Sequence, residues 1–511
     1  MDLLTEARSC GETVCSLLRD VPEVQDLFLW LQDAIRQLDR PMRIAVIGRT
    51  KAGKSTLMNA FLGQRIVPMG VSELTYVVTR FTYSDRPVCK VSFFDGHDES
   101  WAISDLDRVV ARDESRLEFL RSIKSVAVGF PNDLLRQFEI LDTPGLGSVH
   151  EHDEQNTLRV LGIDADEVNR RTQTAVGDAD AVLFSFKIRP GEAEFSTLQR
   201  FESMAFMDPV NAIAILTQVD EYFPDVEEPF PAARKIIDRQ WGAHPILQKS
   251  FFAMRPVSGL MALGAATLSA DDIATLSDLA AIPEAILAKH IWSSPLAKFK
   301  RAAFPMVPGL PSPEQRARLA EKLSFYGTKV ATELVSRNAD LGSVSSALYE
   351  KSGVEHVSEV LKSHFGRRSA AVKTYQHFER AREKCFLAAR RLHGWKQRRV
   401  DEALRHIASF LAGAQPLREL AVLRRHYSGE LRFEPSEFRL LLEITGEYGE
   451  TIADRLGLRS ETIPEVLLAE ANRRKAHFHE LAQFGFPSHR ATREASRVLE
   501  QSCDGLIGEL S

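Results

Sequence analysis

The spacing of apolar residues changes character once along this chain. Before about residue 300, short unbroken apolar runs such as Ile44–Ile47, Phe138–Leu141, Ala181–Phe186 and Ala212–Leu216 alternate with stretches whose apolar residues return every three or four positions. Such runs predict strands buried on both faces, and the stretches between them predict helices that cover a sheet. Further strands are expected at Val77–Tyr83, Val88–Phe94, Ser125–Phe130 and Phe251–Pro256, with helices at Val21–Arg40, at Ser104–Leu120 and after Pro190-Gly191. The alternation predicts an α/β fold, a doubly wound and mostly parallel sheet with its site at the carboxyl edge.

The segment Phe304–Pro313 is rich in breakers and reads as a hinge. Ser312, Pro313 and Gln315 then make a helix start of the capping-box type. From there the pattern is helical throughout, over Leu319–Leu334, Val354–Phe365, Arg367–Leu392, Val400–Leu411, Ser436–Tyr448, Pro464–Leu481 and His489–Ile507. The expected organisation is one N-terminal helix in 1–40, an α/β domain in 41–300 and an all-α region in 301–511.

Composition sharpens this only by exclusion. At 511 residues the chain exceeds what one core usually serves, and its net charge of −5 excludes a globally basic nucleic-acid binder. Cys10, Cys15, Cys89, Cys385 and Cys503 are scattered without C-x-x-C spacing and read as reduced cytosolic thiols. No apolar stretch is long enough to span a membrane, and the early Asp2, Glu6 and Glu12 do not suit a signal peptide, so a cytoplasmic location is expected.

The chemistry begins at Gly48–Ser55, GRTKAGKS, which fits G-x-x-x-x-G-K-[ST] at every fixed position. It follows an apolar strand and precedes Leu57, Met58, Phe61 and Leu62 at helical spacing. In that context backbone N–H groups and the helix start form a nest for phosphate oxygens. Gly48, Arg49, Thr50, Lys51, Ala52, Gly53, Lys54, Ser55 and Thr56 would line a nucleotide, with Lys54 as a charge for the β- and γ-phosphates and Ser55 as a Mg²⁺ ligand.

Three later elements fall in the order a guanine-nucleotide site needs. Asp142-Thr143-Pro144-Gly145 ends a strand, where the Asp142 carboxylate would reach Mg²⁺ and the Gly145 N–H the γ-phosphate. Thr217-Gln218-Val219-Asp220 resembles [NT]-K-x-D: one carboxylate can accept both N1–H and N2–H of guanine, a pair that adenine lacks. A turn-capping role is the plainer alternative for Asp220, and Gln218 departs from the expected Lys. Val257-Ser258-Gly259 could offer a backbone N–H to the base oxygen. His150-Glu151-His152 has metal-ligand spacing but no third ligand, and reads as a solvated loop.

In the helical half, Ala371, Tyr375, Phe378, Cys385, Ala389 and Leu392 make the seam of a packed helix. Arg367, Arg368, Lys373, Arg380, Lys384, Arg390 and Arg391 make its other faces basic, and the break at His393–Arg399 sets Trp395 among Lys396, Arg398 and Arg399. An anionic bilayer surface could be met there, although a bundle loop with a solvated charged face carries more weight.

Gly48–Ser55, Thr75, Asp142–Gly145 and Thr217–Asp220, with a helix before the α/β domain and a helical half after it, resemble the dynamin superfamily. GRTKAGKSTLMNAFLG, VPMGVSELTYVVTRF and FEILDTPGL are similar to bacterial dynamin-like GTPases, and Val257–Leu263 with Ala320–Phe365 looks like the actinobacterial isoniazid-induced type. The resemblance implies a P-loop GTPase domain on an all-α neck and stalk, with GTP or GDP and Mg²⁺ bound. It implies G domains that pair across their nucleotides, in a homodimer or with a related dynamin-like chain. It further implies GTP hydrolysis coupled to membrane remodelling, by fission or fusion, at the cytoplasmic face of the cell membrane. It places Thr75 against Mg²⁺ and the γ-phosphate. Leu146 stands where Ras-like proteins carry a water-positioning Gln, and Lys51 holds the place of the cis arginine finger of guanylate-binding proteins. Lys51 as a catalytic cation and Lys51 as a solvent-facing residue stand level. Gln218, the Thr50-Lys51 pair and the lack of an apolar paddle depart from dynamin. The rival readings are a non-membrane G protein, or a GTP-gated scaffold, whose helical half binds protein or RNA.

Overall fold

The computed structural model describes residues 2–49, 51–69, 78–110, 117–143, 177, 179–187, 198–199, 208–486 and 489–511. The chain opens with two helices, α1 (Leu3–Leu18) and α2 (Gln25–Gln37), joined through the 3₁₀ turn Pro22–Val24. Only the second was expected. The buried stripe of α1 includes Ala7, Gly11 and Cys15, residues too small to register as a hydrophobic face. Their size is the reason the helices can pack: a Cβ on Gly11 would stand 2.5 Å from Ile35 Cδ1.

The strands among the described residues form one sheet. They are β1 (Met42–Gly48), β2 (Thr79–Tyr83), β3 (Val88–Phe93), β4 (Asp98–Trp101), β5 (Ile123–Phe130), β6 (Phe138–Asp142), β7 (Ala181–Phe186), β8 (Ala212–Leu216) and β9 (Met254–Pro256), in the order β4-β3-β5-β2-β6-β1-β7-β8-β9. From β6 through β1, β7 and β8 to β9 all neighbours are parallel. β2 runs antiparallel to β6, and β3 and β4 form an antiparallel wing. The β4 strand was not expected, because its sequence DESW is polar and its residues face solvent at the sheet edge. Of the helix expected over 104–120, the described residues hold the helical stretches Leu106–Val110 and Leu117–Ser122, and 111–116 lie outside the described residues. The helix expected after Pro190-Gly191 lies outside the described residues, apart from 198–199.

Strand alternation divides the core. Ile44 and Val46 of β1 enter one apolar cluster, and Ala45 and Ile47 enter another on the opposite face. Two helices follow strands at the carboxyl edge, α3 (Lys54–Leu62) after β1 and α4 (Gly259–Ala266) after β9.

Beyond residue 301 the secondary structure among the described residues is helical: α5 (Pro313–Leu323), α6 (Phe325–Ser336), α7 (Leu341–Lys351), α8 (Val354–Val360), α9 (Ser369–Ala389), α10 (Gly394–Gly413), α11 (Gln415–Tyr427), α12 (Pro435–Ile444), α13 (Pro464–Glu480) and α14 (Arg490–Leu510) are its main elements. The capping box of Ser312 and Gln315 is present at the start of α5. The single helix expected over 319–334 breaks at Ser324, with φ +69°. Leu319, Phe325, Tyr326, Val330 and Leu348 share an apolar cluster with Ala45 and Ile47, so the composition shift near 304–313 is not a break in the core.

α1, α2, α9 and α10 enclose a separate core. α9 runs antiparallel to α2: Lys373 Nζ bonds the carbonyls of Leu38 and Arg40 at 2.6 and 2.7 Å, Trp30 meets His377 edge-on at 6.4 Å, and Glu23 pairs with Lys396 at the far end. At 1.5 Å per residue α9 holds its two ends about 30 Å apart.

Candidate active site

β1 delivers the loop Gly48–Ser55 at the centre of the sheet, where the strand buried on both faces meets α3. Gly48 has φ +151°, and a Cβ there would stand 2.5 Å from the Ser185 carbonyl oxygen of β7. Gly53 has φ +75°, with an ideal Cβ 3.3 Å from Thr217 Cβ. Both glycines are therefore demanded by close approach as well as by backbone conformation. Lys54 is buried, with Nζ 3.1 Å from the carbonyl oxygens of both Gly48 and Arg49, which folds its stem over the loop. Lys51 is exposed at φ +62°. Ser55 and Thr56 are half-buried on the first turn of α3, and Ala52 is buried. Thr50, Thr75 and Gly145, with the 150–152 segment, lie outside the described residues.

Asp142 ends β6 beside the loop. Only 1% of it is exposed, and its Oδ1 has no hydrogen-bond partner among the described residues. Burial pushes its carboxyl up to about 6, against the opposing pull of the Lys54 ammonium. A buried carboxylate oxygen left without a partner is a group that a hard cation or its water would satisfy. Together with the Ser55 hydroxyl, the donor set fits Mg²⁺. Neighbouring Thr143 donates to the Val46 carbonyl at 2.9 Å and holds the end of β6 against β1.

β8 delivers Thr217–Asp220. Thr217 Oγ1 lies 2.9 Å from the carbonyls of Ala52 and Phe186, so it fastens the phosphate loop to the sheet. Gln218 takes φ +58° and buries Oε1 without a hydrogen-bond partner among the described residues. Asp220 is buried, and burial raises its carboxyl, with the nearby Ser258 and Ser324 hydroxyls opposing that rise. Val257 is tied to β8 by its N–H to the Leu216 carbonyl at 2.8 Å, and Ser258 caps α4 by accepting from Met261 N at 3.2 Å. Gly259 lets α4 come against α3, since a Cβ there would meet Leu57 N at 3.2 Å.

The structure therefore brings Gly48, Arg49, Lys51–Ser55, Asp142, Thr217–Asp220 and Val257–Gly259 together at the carboxyl ends of β1, β6, β8 and β9. It does not bring Trp395, Lys396, Arg398 and Arg399 to them. These four lie at the end of the α9–α10 hairpin remote from β1, and the expected turn at Trp395 is the first turn of α10. Trp395 is 49% exposed, and Arg398 and Arg399 are exposed. Of the basic faces expected on 367–392, Arg367, Lys384, Arg390 and Arg391 are exposed, and the other three cations are corrected. Lys373 caps α2, Arg368 bonds Glu447 and the Thr445 carbonyl, and Arg380 bonds the carbonyls of Gly177 and Ala179. Helix-end carbonyls and a carboxylate take these cations inward, which charge counting cannot show. Sequence reasoning missed the helix break at Ser324, whose only signal was a serine inside an apparently continuous helical pattern.

Residues 44–219 match the Dynamin family. The isoniazid-induced protein IniC of Mycobacterium tuberculosis is 26% identical over 502 residues, covering 95% of this chain and 94% of that protein. Dynamin-like protein 2 of Campylobacter jejuni is 33% identical over 131 residues, 26% of this chain and 21% of that protein. The isoniazid-induced protein IniA of M. tuberculosis is 32% identical over 130 residues, 25% of this chain and 20% of that protein. A solved chain of an oligomerised bacterial dynamin pair aligns over 98% of this chain and 90% of its own at 13% identity, with a TM-score of 0.34, too low to carry an argument.

Proposed function

We propose that this chain, which is a bacterial dynamin-like GTPase, couples its hydrolysis of GTP to pairing of its G domains and to remodelling of a membrane surface that it meets peripherally. The observation that carries the site assignment is the convergence of Lys54, the Asp142 carboxylate, whose Oδ1 has no partner among the described residues, and the buried Asp220 carboxylate on one edge of the sheet. Phosphates would lie in the nest of Gly48–Ser55 with Lys54 against the β- and γ-oxygens. Asp220 would accept from the guanine edge. Mg²⁺, held by Ser55 and Asp142 and in expectation by Thr75, would neutralise charge on the β- and γ-phosphates. Lys51, exposed on the loop, would turn toward the β–γ bridge when a second G domain covers it, whether from the same chain or a related one.

For the membrane, what supports the reading is the exposed Trp395 with exposed Arg390, Arg391, Arg398 and Arg399, about 30 Å from the junction with β1 along α9. No helix among the described residues is long and apolar enough to cross a membrane. One observation favours the rival scaffold: Arg368, Lys373, Arg380 and Lys396 are engaged within the protein and leave fewer cations for a surface.

Sedimentation with liposomes containing anionic phospholipid separates the two. The proposal expects GTP-dependent pelleting that weakens with salt and is lost in Trp395→Ser/Arg398→Glu/Arg399→Glu, with basal hydrolysis unchanged. A wild-type protein that stays in the supernatant at low salt sinks the membrane half and leaves the scaffold.

A further inference from the structure

The twelve residues between Arg301 and Glu314, AAFPMVPGLPSP, carry no ionisable or amide side chain, although 26% of the chain is charged. The stretch reads as a hinge, yet it is anchored in the fold: Val307 and Pro311 are buried, and Val307 belongs to the apolar cluster of Ala45 and Ile47. Around these anchors its apolar residues turn outward. Met306 is 75% exposed, Pro305, Pro308 and Gly309 are exposed, and Phe304 and Leu310 are half-buried. Apolar residues scattered singly on a surface need no explanation, whereas a run of them on one loop marks a contact.

The loop is ordered without being covered. Arg316 of α5, itself buried, ties its base: Nε donates to the Phe299 carbonyl at 2.8 Å, Nη1 to the Pro311 carbonyl at 2.7 Å and Nη2 to the Ala302 carbonyl. Those carbonyls stand just before the loop and at each of its ends. The Val307 N–H donates to the Phe304 carbonyl at 2.9 Å, Gly309 takes φ +78°, and Pro305, Pro308, Pro311 and Pro313 fix their own φ. Phe299 packs on Phe325 of α6, centroids 4.6 Å apart, and Phe325 packs on Phe223 at 5.0 Å, which seats the base of the loop on the α/β domain. Apolar side chains held in water on a fixed backbone lose little further freedom on meeting a partner.

Size and charge indicate the partner. The loop is short of the roughly 20–30 residues that a stable protein interface takes from each side. Beside it, the short helix Leu296–Arg301 presents Lys298 and Arg301 exposed, neither in an ion pair among the described residues, and Leu296 exposed as well. Lys298 Nζ lies 5.4 Å from the Phe304 ring centroid, which sets a cation directly against the apolar residues. Of the neighbouring carboxylates, Glu321 pairs with Lys300, and Glu314 lies on the first turn of α5. A lipid surface needs few residues: apolar side chains enter between the headgroups while cations stay at the level of the phosphates.

We infer that Phe304–Leu310 is a membrane-contact loop, with Met306 entering an anionic leaflet and Lys298 and Arg301 against its headgroup phosphates. This rests on the chain meeting a membrane peripherally, as proposed above, and adds to Trp395 a contact on a separate element. It also supplies the apolar insertion whose absence as a paddle sets the sequence apart from dynamin. One apolar side chain with a few cations holds a leaflet only weakly, so sedimentation with vesicles is expected to draw on both contacts.

The test places a nitrobenzoxadiazole label on Met306→Cys in the full chain, where the native cysteines are buried apart from half-buried Cys10, with the unsubstituted chain as blank. Vesicles of phosphatidylcholine with phosphatidylglycerol, vesicles of phosphatidylcholine alone, and a protein concentration series without vesicles are compared, with sedimentation read in parallel. The emission is expected to shift to the blue with the anionic vesicles and far less with the neutral ones. Met306→Asp is expected to weaken sedimentation about tenfold, with basal GTP hydrolysis and melting temperature unchanged. An unshifted label on a chain that sediments with the same vesicles overturns the inference and leaves the membrane reading to Trp395. A blue shift that follows protein concentration without vesicles also overturns it, since a second copy then covers the loop. A wild-type chain that does not sediment overturns the membrane reading and this inference with it.

Discussion

The hydroxyl of Thr217 lies 2.9 Å from the Ala52 carbonyl oxygen and 2.9 Å from that of Phe186, joining the Gly48–Ser55 loop to β7 through the first residue of the proposed guanine element. The two halves of the nucleotide site are thus mechanically one. A single proton serves two buried acceptors; removing it takes this donor from the Ala52 carbonyl, whereas the Phe186 carbonyl keeps the Thr217 N–H at 2.9 Å.

Thr217→Val keeps the shape and loses that hydroxyl. The expected cost is about 1–3 kcal/mol in stability, with a several-fold loss of GDP affinity because the loop is no longer held against the sheet. Thermal unfolding and nucleotide titration of the variant check both. Unchanged values in each would mean that the loop is held by its glycines alone.

Much of this site was legible in the sequence because its strands are buried on both faces. β7 and β8 begin and end where the apolar runs begin and end, and Gly48–Ser55 sits between β1 and α3 as its spacing predicts. What stayed hidden has a common physical cause: the decisive feature was a contact across the chain. Gly11 belongs to a helix face only because Ile35 needs the space. Lys373 reads as a solvated charge until the end of α2 is seen beneath it. Ser324 reads as a polar residue within a helix until its positive φ and its cap on Gly327 N are known.

Asp220→Asn exchanges an acceptor pair for an acceptor and a donor. GTP affinity is expected to fall at least a hundredfold, about 3 kcal/mol, and xanthosine nucleotides, which accept where guanine donates, should gain. Competition binding with GTP, ATP and XTP measures this. Equal affinities for GTP and ATP in the wild type would contradict the assignment.

His377 supplies the pH dependence of the junction between α9 and the sheet. Its ring nitrogens have no hydrogen-bond partner among the described residues, and Nε2 lies 3.7 Å from Asp180 Oδ1. Burial, with Arg380, Lys373 and Arg43 nearby, holds its imidazole down to about 3, against an ordinary value of 6.5. Unfolded His377 therefore binds a proton that folded His377 does not, and stability is lost as pH falls below about 6.5. Between pH 7 and pH 5 the loss is about 2 kcal/mol. Asp180, pushed up to about 6 by burial, acts in the opposite sense over much of that interval. The difference between wild type and His377→Phe isolates the histidine: the variant is expected to gain thermal stability relative to wild type as pH drops from 7 to 5. A constant difference would mean that His377 binds protons alike in the folded and unfolded chain.

The central claim, that turnover is coupled to pairing of G domains, is tested most directly by GTP hydrolysis per chain as a function of protein concentration, in wild type and Lys51→Ala. The account predicts a rate per chain that rises with concentration in wild type. In Lys51→Ala it predicts a flat rate with GTP affinity retained, since a cation swung over the β–γ bridge would contribute on the order of 10³-fold in rate. A wild-type rate per chain that is independent of concentration would contradict the coupling, and a Lys51→Ala rate that rises as steeply as the wild-type rate would remove Lys51 from it.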